Sequence, residues 1–330
     1  MSKIFGWLAG HDGCGYYRIK LPFEALERYG HEVYADTFWD EDWRDCDVVV
    51  GQRVTNPEPS RLWQATCASP NVTAVYELDD DLFNLDPTNP AHEVFALPEV
   101  QRQIRQNIGQ ANRVVVSTEP LAQQVRHFND SVHVIKNSLP YEVLRMNRVD
   151  QGGDRGLMNI GYQGSPTHAM DFARIEAPLY EVLAKNPAVR FIGAGTPYGM
   201  DAIHPAQYLF RKWVDSPLEN IRSFSFQIGL APLNPSPFNL SKSYLKVLEY
   251  WCRGIVPVAS NYGPYRELIE DGVTGFLCRG ERDWREKLEL LIHDHELRQK
   301  MSDAGYEAVA DHIITSTGKV DEWSKAYGLM

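Results

Sequence analysis

Three charged residues in the stretch LNPSPFNLSKSYLKVLEYWCRGIVPVASNYGPYRELIEDGVTGF (residues 233–276) have the spacing of a binding site. Helical periodicity predicts a helix over residues 242–252, which puts Lys242, Lys246 and Glu249 along one stripe. Two lysines four apart on a helix repel by roughly 0.2–0.5 kcal/mol. In the first turns they also oppose the helix macrodipole. A pair held in that unfavourable place suits an anionic ligand such as a phosphate, which the free N–H groups of a helix start also bind. The alternative is a solvated stripe carrying a Lys246–Glu249 ion pair.

Other clusters follow strands, where open α/β sheets bind ligands. Gly13-Cys14-Gly15 comes after the first strand and before a helix bearing Arg18 and Lys20. Its glycines permit close approach of a ligand to the backbone, or simply a tight turn. Asp79-Asp80-Asp81 follows a strand over 71–78. Such adjacent carboxylates need a cation, helix N-terminal dipoles or water, so three readings stand: a Mg²⁺ site, an Asp that binds a hydroxyl or acts as base, or an N-cap followed by solvated acids. Gly164, Ser165 and His168 lie where the strand over 156–163 passes into a predicted helix over 167–185, a setting for phosphate or sugar contact. His168 and Asp171 fall one helical turn apart and suit a local pair. No GxSxG, HExxH or GxxxxGKS is present, which weakens hydrolase, zinc-protease and P-loop readings.

Strand and helix signals alternate along most of the chain. Strands are expected at 3–9, 31–35, 47–51, 71–78, 113–117 and 132–136. Helices are expected at 21–29, 61–68, 98–109 and from the Thr118 cap to about 128. After the polar, Gly-rich VDQGGDRG at 149–156 the alternation resumes, with strands at 156–163, 189–194, 224–231 and 255–260. Helices are expected over 265–271, from 283 onward and over 320–327. The fold class is therefore α/β, with parallel sheets flanked by helices. The domain boundary is expected near residue 150, giving domains 1–150 and 151–315 and a terminal helix within 316–330.

The chain has 330 residues, enough for two domains each with its own core. Its five cysteines are scattered without CxxC spacing, which argues against a disulfide framework or a zinc site. The same scatter makes a reducing cytoplasm the expected setting, and no stable membrane insertion is expected because no run approaches the ~20 apolar residues needed to span a bilayer. A net charge of −11 lowers the expectation of a polyanionic partner.

The block SKSYLKVLEYWCRGIVPVASNYGPYRELIEDGVTGF resembles the donor-binding core of retaining GT-B glycosyltransferases of the glycogen-synthase-like and sucrose-synthase-like family. The shared positions are Lys246, Glu249, Gly254, Pro257-Val258, Pro264, Glu267, Asp271-Gly272 and Gly275-Phe276. NRVVVSTEPLAQQV with VHVIKNSLP, and NIGYQGSPTHAMDF with VRFIGAG, extend the likeness. The resemblance implies two Rossmann-like domains facing across a cleft, acceptor side first and donor side second. It implies transfer of a sugar from a nucleoside diphosphate sugar to a hydroxyl, with retention and without a metal or other cofactor. Glu249 would hold the ribose hydroxyls, and Lys246 with Lys242 would neutralise the leaving diphosphate. Asn239, Leu240 and Ser241 would lie near the donor sugar, and Gly13 and Gly15 would face the reacting bond. Family members often carry a glutamate where Ser241 stands, so Asp79 or Asp80 would share sugar recognition from across the cleft. A glycan, lipid, small molecule or modified nucleic-acid base all remain open as acceptor. The rivals are a nucleotide-sugar epimerase on the same fold and a non-catalytic nucleotide-sugar-binding protein.

Overall fold

A computed structural model describes residues 1–39, 45–152, 158–316 and 318–330. The chain builds two six-stranded sheets in which every pairing is parallel. The first holds β1 (Lys3–Trp7), β2 (Glu32–Asp36), β3 (Val48–Gln52), β4 (Thr73–Leu78), β5 (Arg113–Val116) and β6 (Val132–Val134). The second holds β7 (Met158–Gly164), β8 (Val189–Gly195), β9 (Tyr208–Arg211), β10 (Ile228–Ala231), β11 (Val256–Ser260) and β12 (Phe276–Cys278). Val48, Val49 and Val50 are buried, as a strand covered on both faces requires. Within the expected boundary segment, Gly153–Gly156 lie outside the described residues, as do the first two positions of the strand expected from residue 156.

Strand order fixes where a ligand can enter. The first sheet runs β2-β1-β3-β4-β5-β6 and the second β12-β11-β10-β7-β8-β9. Each order reverses once, at β1/β3 and at β7/β10. At such a reversal the connections leave to opposite faces and open a crevice beyond the carboxyl ends of the two strands. The loops after β1, β7 and β10 carry most of the residues singled out from the sequence, and Asp79–Asp81 follow β4, next to β3 in the first sheet.

Several predicted elements differ in detail. The helix expected over 167–185 is three pieces: a turn at Pro166–His168, Ala169–Ala173, and Glu176–Lys185. Pro178 sits at the start of the last piece, where its missing N–H costs nothing. The expected strand over 224–231 is only Ile228–Ala231, preceded by a helix at Pro217–Ser223 that the sequence reading missed, as it missed β9 and β12. The donor-side helix spans Leu245–Trp251, not 242–252. It closes through Gly254 in the left-handed region (φ 66°), where a Cβ would meet Arg148 Nε at 2.8 Å. The final helix, Lys319–Tyr327, lies against the first sheet's helix Leu21–Arg28, with the Tyr327 and Phe23 rings 6.2 Å apart.

Candidate active site

The loops at the two strand-order reversals, together with those after β4 and β9, line one cleft of about 400 Å³. From the first half come Gly13, Tyr17, Asp79 and Asp80; from the second come Gly164, Ser165, His168, Lys242, Lys246 and Glu249. Nine of the sequence-nominated residues thus meet in one place: Gly13, Asp79, Asp80, Gly164, Ser165, His168, Lys242, Lys246 and Glu249.

The two lysines differ in kind, and Lys242 corrects the single-stripe expectation. It precedes the helix, in the loop between Pro237–Leu240 and Leu245–Trp251. From there its Nζ reaches across the cleft to Asp80 Oδ1 at 3.1 Å and lies 4.4 Å from the Phe238 ring centroid. Burial works against the Lys242 cation, yet Asp80 more than compensates and raises its pKa. Lys246, inside the first helical turn, donates to the Gln163 carbonyl and lies 4.7 Å from the Tyr162 ring centroid. Burial brings its pKa down to about 8, with Lys242 adding to the drop and Glu249 opposing it. A buried cation held mainly by a carbonyl is one that an incoming anion would stabilise. Glu249, one turn further along, is raised by burial against the opposing effects of Tyr17 and Lys246. Its Oε1 accepts from Tyr17 Oη at 2.8 Å.

The carboxylates at 79–81 diverge instead of forming a cation site. Asp79 Oδ1 lies 3.8 Å from Arg53 Nε, Asp80 faces Lys242, and Asp81 accepts from Phe83 N and Asn84 Nδ2. Asp81 therefore closes a turn, and no helix follows for it to cap. His168 Nδ1 donates to Asp171 at 2.8 Å, and Asp171 also accepts from Asn239 Nδ2 at 2.6 Å and Asn234 N at 2.8 Å. That network ties the loop after β7 to the loop after β10. Burial lowers the His168 pKa and so favours its neutral form.

Four expected contacts are not on the cleft wall. Asn239 is buried in the Asp171 network, and Leu240 faces a separate crevice between the halves. Ser241 is buried, its carbonyl accepting from Thr118 Oγ1 at 2.8 Å and its hydroxyl lying 3.4 Å from Asp81 Oδ2. A glutamate there would bury a second carboxylate beside Asp81, so serine suits this packing. Gly15 serves the chain itself, because a Cβ would lie 2.1 Å from the Gly10 carbonyl oxygen.

Sequence reasoning missed Tyr17, Arg53 and the segment Trp213–Asp215 on the cleft or beside it. Arg53 directly follows β3 with φ 45°, the one non-glycine positive φ among the described residues, and its guanidinium lies between Asp12 (3.6 Å) and Asp79. A lone arginine after VVVGQ was the only signal.

Two parallel-sheet Rossmann-like domains with a shared cleft at their strand ends are the GT-B architecture. Residues 245–308 match the family model described as glycosyl transferases group 1. The fold is that of sucrose-phosphate synthase from Thermosynechococcus elongatus (11% identity, all of this chain and 99% of that one, TM-score 0.70). It is also that of Anabaena HepE in complex with UDP (14% identity, all of both chains, TM-score 0.66). S. aureus TarM aligns at 15% identity and TM-score 0.63 over 93% of this chain, which spans only 57% of TarM. No curated protein matches by sequence.

The two loop glycines separate packing from binding. Gly15→Ala should lower stability by about 1–3 kcal/mol through the clash with Gly10. Gly13→Ala, where a Cβ meets nothing within 4 Å, should leave the melting temperature nearly unchanged. Thermal denaturation of both variants checks this, and an equal loss in both would contradict it.

Proposed function

We propose that the protein is a retaining, metal-independent glycosyltransferase that moves a sugar from a nucleoside diphosphate sugar to an acceptor hydroxyl. The observation that carries the reading is Lys246 and Glu249 on one short helix at the cleft floor, within the segment matching the group 1 family. Lys246, with Lys242 beside it, neutralises the diphosphate as the anomeric C–O bond breaks, which takes the place of a metal ion. Glu249 accepts from the ribose hydroxyls. Ser165, His168 and the Gly13 and Gly164 backbone line the path between diphosphate and sugar. Asp79 and Asp80 face them from the acceptor side, where a carboxylate can accept a sugar or acceptor hydroxyl. The acceptor oxygen bonds the anomeric carbon and its proton passes to a base. Structures of HepE with UDP and with UDP-glucose favour a uridine donor. Among the described residues no helix is long and apolar enough to cross a membrane; a cytoplasmic location is part of the proposal.

With radiolabelled nucleotide sugars and a cell extract as acceptor source, Lys246→Ala should lower kcat about 10²–10³-fold, roughly 2.7–4 kcal/mol of lost leaving-group stabilisation. Glu249→Ala should chiefly raise the donor KM. Wild-type kinetics in both variants would sink the assignment, and epimerised donor or binding without turnover would point to other chemistry. Activity should persist in EDTA; a loss restored by Mg²⁺ or Mn²⁺ would refute metal independence.

The pH profile follows from the same pair. The Lys246 cation is present below its pKa of about 8 and lost as pH rises through it. Donor kcat/KM should then fall by about tenfold per unit on the alkaline side. Glu249 must be ionised, so activity should also fall at low pH, earlier than for an ordinary carboxylate because burial raises its pKa. A profile flat from pH 7 to 10 would contradict the role of Lys246.

A further inference from the structure

The hydrogen bond between Tyr17 and Glu249 joins residues 232 positions apart and links the two halves at the cleft floor. Tyr17 belongs to a π-helical turn, Tyr16–Lys20, between the Gly13 loop and the helix Leu21–Arg28. A π turn inside a helix shifts successive side chains out of register and recurs at functional sites. Here it gives neighbouring residues different partners. Arg18 is bound within the first half, donating to Glu77 Oε1 at 2.6 Å, the Ile135 carbonyl at 2.6 Å and Asn137 Oδ1 at 2.9 Å, with its guanidinium carbon 4.9 Å from the ring centroid of Trp323 in the final helix. All of Arg18 is buried, so the turn has a rigid footing. Tyr17 reaches the second half, its hydroxyl meeting Glu249 Oε1 at 2.8 Å. Burial and the adjacent carboxylate keep that phenol protonated, so it serves as a donor.

We infer that Tyr17 is a positioning residue that sets nucleotide ribose recognition: by holding Glu249 Oε1 from the opposite domain it fixes the rotamer in which Oε2 faces a vicinal diol. The inference rests on the ribose role of Glu249 in the proposed function. A carboxylate can accept at both oxygens. Tyr17 occupies one, and the ribose 2′ and 3′ hydroxyls share what is left. A phenylalanine at 17 keeps the buried ring and deletes only the donor. Glu249 is then free to turn toward Lys246, and diol recognition is lost while diphosphate binding remains. Because the bond crosses between domains, ribose is read only when the halves are together.

The test is calorimetric binding of UDP, GDP and ADP to the full chain, followed by the 2′,3′-dideoxy form of whichever binds tightest. Wild type should favour the ribonucleotide, and Tyr17→Phe should weaken ribonucleotide binding about tenfold, the scale of one hydrogen bond to a charged group, with the dideoxy affinity unchanged. Unchanged dideoxy affinity also shows that the variant is folded. Glu249→Gln should lose the same discrimination. If Tyr17→Phe discriminates like wild type while Glu249→Gln does not, the positioning role is overturned and the ribose role of Glu249 stands. If neither variant changes discrimination, both fall. If Tyr17→Phe weakens ribonucleotide and dideoxynucleotide equally, the tyrosine supports the fold and not ribose recognition, and the inference is wrong.

Discussion

Parallel pairing with one reversal of strand order is the constraint on which the site depends. A parallel strand needs a crossover, and at β1/β3 and β7/β10 the crossovers leave on opposite faces. The crevices opened there are properties of the topology, available before any side chain is chosen. Because the halves meet with both crevices toward each other, the glycine loop after β1, the end of β7 with residues 165–168 after it and the lysines after β10 share about 400 Å³. Most of the chemistry is added at loop positions, while the buried strands stay largely apolar apart from a few polar residues such as Glu77 and Gln163.

Electrostatics then divides the labour within that space. Lys242 is already balanced by Asp80 from the opposite half, a contact that draws the halves together. Lys246 contacts a carbonyl and an aromatic ring, and burial weakens its hold on a proton despite the opposing pull of Glu249 and Asp171. An anion entering the cleft gains more from Lys246 than from its neighbour. The buried Arg18–Glu77 pair beneath, with Glu77 raised to about 7 chiefly by burial against the pull of Arg18, adds little net stability but holds the turn that carries Tyr17.

Much of this was legible in the chain. Lys246 and Glu249 carried their meaning locally, through helical spacing and the glycine, strand and Asp-Gly pattern that follows. The alternation of buried valine runs with amphipathic segments sufficed for two α/β halves. Lys242 was misplaced because NLSKSYLK has no helix-breaking residue, although Ser241 and Ser243 are held in the loop by bonds to Asp81 and Asn137 far along the chain. The same distance hid the packing of Ser241 and the burial of Asn239. Tyr17 looked like any aromatic at a helix start, since its partner is 232 residues away. The left-handed backbone of Arg53 leaves no mark in residue type.

The central claim is that a nucleoside diphosphate lies with its phosphates on Lys246 and its ribose on Glu249. A crystal structure of the protein grown with UDP tests it most directly. The account predicts diphosphate oxygens within hydrogen-bonding distance of Lys246 Nζ and a ribose diol on the Glu249 carboxylate. Nucleotide bound elsewhere, such as in the second crevice between Arg174 and Arg279 beyond β11 and β12, would contradict it.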